Sequence, residues 1–270
     1  MAESESPSDP EQEAPLHAPP SEPAPPASSP TAAAVKAPDD PRTTVRGVVA
    51  ATFVTTAIVT LASYVAPKDY SATAVGMIFL GATYVLVLRH SAAFIRAHGL
   101  ALGGLFEPRQ LDPKELFVDA VKALGVALLL FAVVAAPFVI GFRFYFHARG
   151  SFDFSTLKSI PKDALGQMLV IALPEEAFFR GYLQTSLDTL FVAKRRILGA
   201  DLSLALPLAS LIFAVGHVLT RPDPSRLAVF FPALVFGYLR ARTKGIGTSL
   251  CFHALCNLLS GALAEGYHLR

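Results

Sequence analysis

The stretch Pro174-Glu175-Glu176-Ala177-Phe178-Phe179-Arg180 places two adjacent carboxylates and an arginine inside a long apolar run. A charged side chain near the middle of a membrane helix costs ~2.5–3.5 kcal/mol on insertion scales. On a helix, Glu176 and Arg180 stand one turn apart with the acid first, so they can pair. Glu175 then has no partner in the local sequence. A chain keeps such a group where it faces a wet cavity or performs chemistry. Pro174 removes a backbone donor and predicts a kink, which could admit water and unwound substrate to the carboxylates.

The competing reading, a soluble helix with both acids on its surface, fails on composition. Of the 270 residues 53% are hydrophobic and only 16% are charged, with a mean hydropathy of +0.48. Soluble domains carry roughly a quarter charged residues, so this is the composition of a membrane protein. The net charge of +2 gives no argument for nucleic acid as a partner. Cys251 and Cys256 share one apolar run at a spacing poorly suited to a disulfide, and they read as small core residues.

Outward from that stretch, the chain divides by composition. Residues 1–44 hold 11 of the 21 prolines and 8 of the 21 acids, without an aromatic residue. Such a Pro/Ala-rich acidic tail cannot bury enough apolar surface to order itself, and it has no secretory-signal pattern. Residues 45–115 hold two predicted spans, 47–66 and 72–88, followed by a mixed segment read as an amphipathic piece at the membrane interface. Residues 116–270 hold five more: 123–142, 164–191, 202–219, the short 227–239, and 245–264. The expected fold is therefore all-α, a polytopic membrane bundle of about seven transmembrane helices. Lys and Arg near the spans divide thirteen to eight in favour of a cytoplasmic N-terminus.

Few polar groups fall within the spans. Beyond Glu175, Glu176 and Arg180 they are His217 on the fifth span and His253 and Asn257 on the seventh. Phe213-x-x-x-His217 and His253-x-x-x-Asn257 each line one helix face. A single intramembrane His or Asn is commonly a helix–helix hydrogen bond. Three such faces on three helices are buried at least cost when they point at one another around a shared polar cavity.

In order and spacing, Glu175-Glu176-x-x-x-Arg180, Phe213-x-x-x-His217 and His253-Ala-Leu-Cys-Asn257 resemble the motifs of the CPBP intramembrane proteases, also called the Abi/CAAX protease family. Type II CAAX prenyl endopeptidases, bacteriocin-processing and immunity-type proteins, and bacterial enzymes that trim sorting helices belong to it. The resemblance covers roughly residues 120–265, continues through Arg180-Gly181-Tyr182-Leu183-Gln184, and makes residues 116–270 the protease core. It implies an intramembrane endopeptidase that hydrolyses a peptide bond in a membrane-anchored protein or peptide, such as a C-terminal tail, sorting helix or leader peptide. Glu175 is then the general base, holding a water with His217. Glu176 pairs with Arg180 and assists. His253 and Asn257 donate to the oxyanion.

No cofactor is required on this reading. The older, metalloprotease-like view of the family would make Glu175, His217 and His253 ligands of zinc. Against it, the sequence has no His-Glu-x-x-His pair, and helix neighbours point ~100° apart, so Glu175 and Glu176 cannot share one ion. Serine chemistry finds Ser186 and Ser249 but no Gly-x-Ser-x-Gly elbow. Two other classes compete: a non-catalytic immunity or scaffold protein that keeps the pocket, and a proton-coupled transporter, for which no internal repeat is evident. The implied location is the bacterial inner membrane.

Overall fold

The computed structural model describes Met1 and residues 44–269. The expected tail, 1–44, lies outside the described residues but for its two end positions. The chain divides into two units, Met1–Pro38 and Asp39–Arg270, and the second carries the fold.

That unit is a bundle of helices. α1 (Val45–Val65) opens on Thr44, whose hydroxyl accepts from the Gly47 amide at 3.2 Å, and stops before Pro67. α2 (Lys68–Leu88) returns beside it, and its last turn widens to π-helical geometry. α3 is the short Ala92–Ala97. α4 (Pro113–Tyr145) begins with Pro at its first position and the Asp112 carboxylate on the Lys114 amide at 2.9 Å, a strong start signal. Its most apolar window has a mean hydropathy of 2.7, yet only 6% of it is buried, as expected of a helix whose outer face meets lipid. One continuous helix, α5, runs over 160–190. A two-stranded antiparallel ribbon, β1 (Arg195–Ile197) with β2 (Ala200–Leu202), leads to α6 (Ala205–Thr220), α7 (Phe230–Thr243) and α8 (Gly247–Gly266).

All seven predicted apolar runs are helical: α1, α2, α4, α5, α6, α7 and α8. By length and composition four described helices can cross a membrane: α1, α2, α4 and α8. α6 and α7 have only 16 and 14 residues. At 1.5 Å per residue, each is shorter than ~30 Å of hydrocarbon. In α5, three charges, Glu175, Glu176 and Arg180, interrupt the apolar run.

Contacts between helix ends show that the long helices alternate in direction. At one end Tyr64 donates to the Leu219 carbonyl at 3.0 Å, Tyr145 to that of Ser225 at 3.1 Å, and the Asp153 amide to that of Gly266 at 3.0 Å. At the other, Arg240 donates to the Ala97 carbonyl at 3.1 Å, and the Ile246 amide to that of Gly99 at 3.0 Å.

Three features depart from the sequence reading. The 89–112 segment is a folded plug with only six helical residues in α3. Ile95 and Leu100 are fully buried, and Leu100 lies so close to Gly181 of α5 that a Cβ there would sit 2.8 Å from it. The connection between the predicted spans 164–191 and 202–219 forms the β-ribbon; Gly199 and Leu198, both at positive φ, make its turn, and Tyr238 of α7 ties the Leu198 carbonyl at 2.8 Å. Finally, the kink expected at Pro174 is taken up by π-helical turns on both sides, Gln167–Ala172 and Ala177–Gln184. Such widenings re-aim side chains without ending the helix.

Candidate active site

Glu175 and Glu176 are neighbours on α5 and face different surroundings. Glu176 is fully buried, and Arg180 one turn later lies 3.5 Å from its Oε1. The Arg180 guanidinium sits over the rings of Phe213 and Phe236, 4.6 and 5.2 Å from their centroids, and donates to the Ala233 carbonyl of α7 at 3.2 Å. Gln184, a further turn on, donates to the Gly237 carbonyl at 3.0 Å. Arg180 and Gln184 thus clamp α5 to α7 through carbonyls one turn apart. Gly237 permits that approach, since a Cβ there would stand 2.7 Å from the Gln184 Oε1.

Glu175 keeps 12% of its side chain exposed. It lines a cavity of about 400 Å³ between α1, α2, α5 and α6, with His217 beside it and Val59, Val75, Phe79 and Phe179 among the apolar walls. The Nδ1 of His217 donates to the Phe213 carbonyl at 3.0 Å, the ordinary i−4 partner, so its Nε2 carries the free lone pair.

His253 of α8 stands between the two acids. Its Nδ1 donates to Glu176 Oε1 at 3.0 Å, and its Nε2 lies 3.6 Å from Glu175 Oε2. The ring stacks on Phe236 at 4.5 Å and meets the edge of Phe213. It is absent from the wall of that cavity. The buried Ser249 hydroxyl, which also lies beside Glu176, gives its proton to the Ile246 carbonyl at 2.9 Å.

Glu175, Glu176, Arg180, His217 and His253 therefore come together as expected. Asn257 does not join them. One turn beyond His253, it lines a second cavity of about 260 Å³ with Asp163, Gln167 and Glu265. Among the described residues no three His, Cys, Asp or Glu side chains are placed to hold a metal ion. Sequence reasoning quoted Gln184 within the motif without giving it a role, and it missed Phe236. Gln184 had a signal, its i,i+4 spacing from Arg180; Phe236 had none.

A helical membrane bundle that seats a carboxylate and an imidazole on the wall of an internal cavity, backed by a second acid, an arginine and a second imidazole, has the parts of an intramembrane hydrolase. Residues 159–259 match the family described as type II CAAX prenyl endopeptidase Rce1-like, and this segment of the chain is similar to it. The matched segment contains all six predicted site residues and leaves out α4, which the resemblance had included. No curated protein and no solved structure matches the chain.

Proposed function

We propose that the chain is an intramembrane endopeptidase that cleaves a membrane-anchored peptide with a water held between Glu175 and His217. The observation that carries this is the division of labour between adjacent acids: Glu175 opens on the cavity, while Glu176 is fully buried behind it, tied to Arg180 and His253. Glu175 and the His217 Nε2 are two acceptors for the two protons of one water, which leaves its lone pair free for a substrate carbonyl. As the water oxygen bonds to that carbon, its proton passes to Glu175. When the tetrahedral intermediate collapses, the C–N bond breaks and the proton goes to the leaving amine. The products are one carboxylic acid and one amine, so atoms and charge balance.

His253, fixed from behind by Glu176, exchanges a proton with Glu175 and holds its carboxylate in place. The resemblance assigns the oxyanion to His253 and Asn257. Because both lie off the cavity wall, Asn257 takes only a supporting role in this proposal. The reading requires no cofactor; its substrate is a protein or peptide held in the bilayer. The test is processing in cells. Glu175→Ala, His217→Ala and His253→Ala each stop the appearance of new protein termini, mapped by mass spectrometry of membrane and secreted proteins, while the variants still insert. Asn257→Ala retains partial activity. Processing by Glu175→Ala at the wild-type rate contradicts the proposal.

A further inference from the structure

The second cavity, about 260 Å³, lies between the start of α5 and the end of α8, behind the site. Five of its nine lining residues are polar, Ser159, Asp163, Gln167, Asn257 and Glu265, so its walls suit water better than lipid. On α8, Glu265, Gly261, Asn257 and His253 follow one another at i,i+4. They form a single helix face that runs from the bundle end to the site in steps of ~6 Å. On α5, Asp163 and Gln167 stand one turn apart. Asp163 is exposed, Gln167 and Asn257 are half-buried, and His253 is buried, so this polar face passes from the surface into the interior.

A space of this size and lining has room for several waters and the polar partners to hold them. Among the described residues, neither the Gln167 nor the Asn257 amide bonds to another protein group, and half-buried amides of that kind are satisfied by water. One π-helical turn of α5, Gln167–Ala172, separates the two cavities. Gln167 lines the rear one, while Val170 and Ile171 line the front one with Glu175. Toward the site the partition is built of small or pliable side chains. Ala172 and Ala254 are buried together with Leu250, and Met168 packs against them. Met is unbranched and adapts its shape readily. Beyond it, the buried Oε2 atoms of Glu175 and Glu176 have no hydrogen-bond partner among the described residues, so both can accept from arriving water.

Hydrolysis consumes one water for each bond cut, and inside a bilayer that water has to be delivered. A peptide lying in the front cavity covers Glu175 and closes that side to solvent. We infer that the second cavity is a water inlet, which stocks water between α5 and α8 and passes it around Met168 to Glu175 and His217 while a peptide fills the front cavity. This rests on the peptidase reading given above. It also gives the supporting role of Asn257 a physical content, since its amide relays water without touching the reacting atoms.

Thiol modification reads water access without turnover. Single cysteines are placed in a Cys251→Ala, Cys256→Ala background of the full chain in nanodiscs and treated with aminoethyl methanethiosulfonate. Asn257→Cys, inside the cavity, should react nearly as fast as Asp163→Cys at its exposed end. Ala172→Cys, behind the partition, should react slowly beside Met168 and several-fold faster when Met168→Ala is added. Cleavage is then compared in proteoliposomes. Met168→Ile, similar in volume but stiff at χ1, should form new termini several-fold more slowly than wild type, and Met168→Phe more slowly still, with thermal midpoints confirming that each folds. An unreactive Asn257→Cys, an Ala172→Cys rate indifferent to Met168→Ala, or wild-type cleavage by Met168→Ile overturns the inference. Absence of cleavage by wild type beside intact thiol access overturns the peptidase reading itself, so the two failures give different results.

Discussion

Glu175 and Glu176 have the same side chain and adjacent positions, and a helix turns neighbours ~100° apart. That rotation gives Glu176 an arginine and an imidazole and gives Glu175 a cavity. The burial of Arg180 has a direct consequence for stability. Breaking a buried ion pair by removing one partner costs about 3–5 kcal/mol, because the other charge is left uncompensated. Arg180→Met should therefore lower unfolding stability in detergent by about that amount and also remove the bond to the Ala233 carbonyl. Arg180→Lys should recover only part of it, since Lys cannot lie flat between Phe213 and Phe236 and still reach Ala233. Denaturant titration of both variants checks this; an unchanged midpoint for Arg180→Met would contradict the burial argument. At this scale the sequence was highly legible. A charge in an apolar run is costly enough to stand out, and i,i+4 spacing names its partner. The position of Asn257 was not legible, because spacing places it on the His253 face of α8 without saying which cavity that face reaches one turn on.

At the scale of the element, α5 is the part that makes the site. Pro174 lacks the N–H of a regular helix, and the π-helical turns before and after it hold the Glu pair at an angle a straight α-helix would not give. Pro174→Ala restores the donor and lets the ladder close. The expected result is a variant at least as stable as wild type, with cleavage reduced by an order of magnitude or more because Glu175 turns away from His217. Thermal unfolding and cleavage measured on one preparation decide it; wild-type cleavage would show that the proline is incidental. Sequence pointed to a kink of the helix at Pro174. The form of the kink was hidden, because where the spare backbone groups go depends on the packing of α2 and α8 against it. The ribbon of β1 and β2 was hidden for a related reason, since three-residue strands carry too short a pattern to show in the sequence.

Across the whole molecule, hydropathy yielded the helices and their alternating direction, while the segment between α2 and α4 had to be seen folded. Its mixed composition suggested an interfacial helix. Ile95, Leu100 and His98 are instead buried against the bundle. Burial pushes the His98 imidazole from its ordinary 6.5 down to about 4, with the Arg240 and His90 charges adding to it against the pull of the Phe94 carbonyl. Between about pH 4 and 6.5 the unfolded chain takes up a proton that the folded chain refuses. Stability is thus full above that window and falls as pH drops through it. The thermal midpoint in detergent should decline over this range, and His98→Asn, which keeps a donor toward Phe94, should flatten the decline. An unchanged profile in that variant would locate the acid sensitivity elsewhere.

The central claim is that Glu175 activates the water that cuts the peptide. The most direct measurement uses proteoliposomes of wild type and Glu175→Gln mixed with membrane proteins from cells lacking the chain, in oxygen-18 water, with protein termini mapped by mass spectrometry. The account predicts that new C-termini carrying a single oxygen-18 atom appear with wild type and are absent with Glu175→Gln. The same labelled termini formed at equal rate by Glu175→Gln would contradict it.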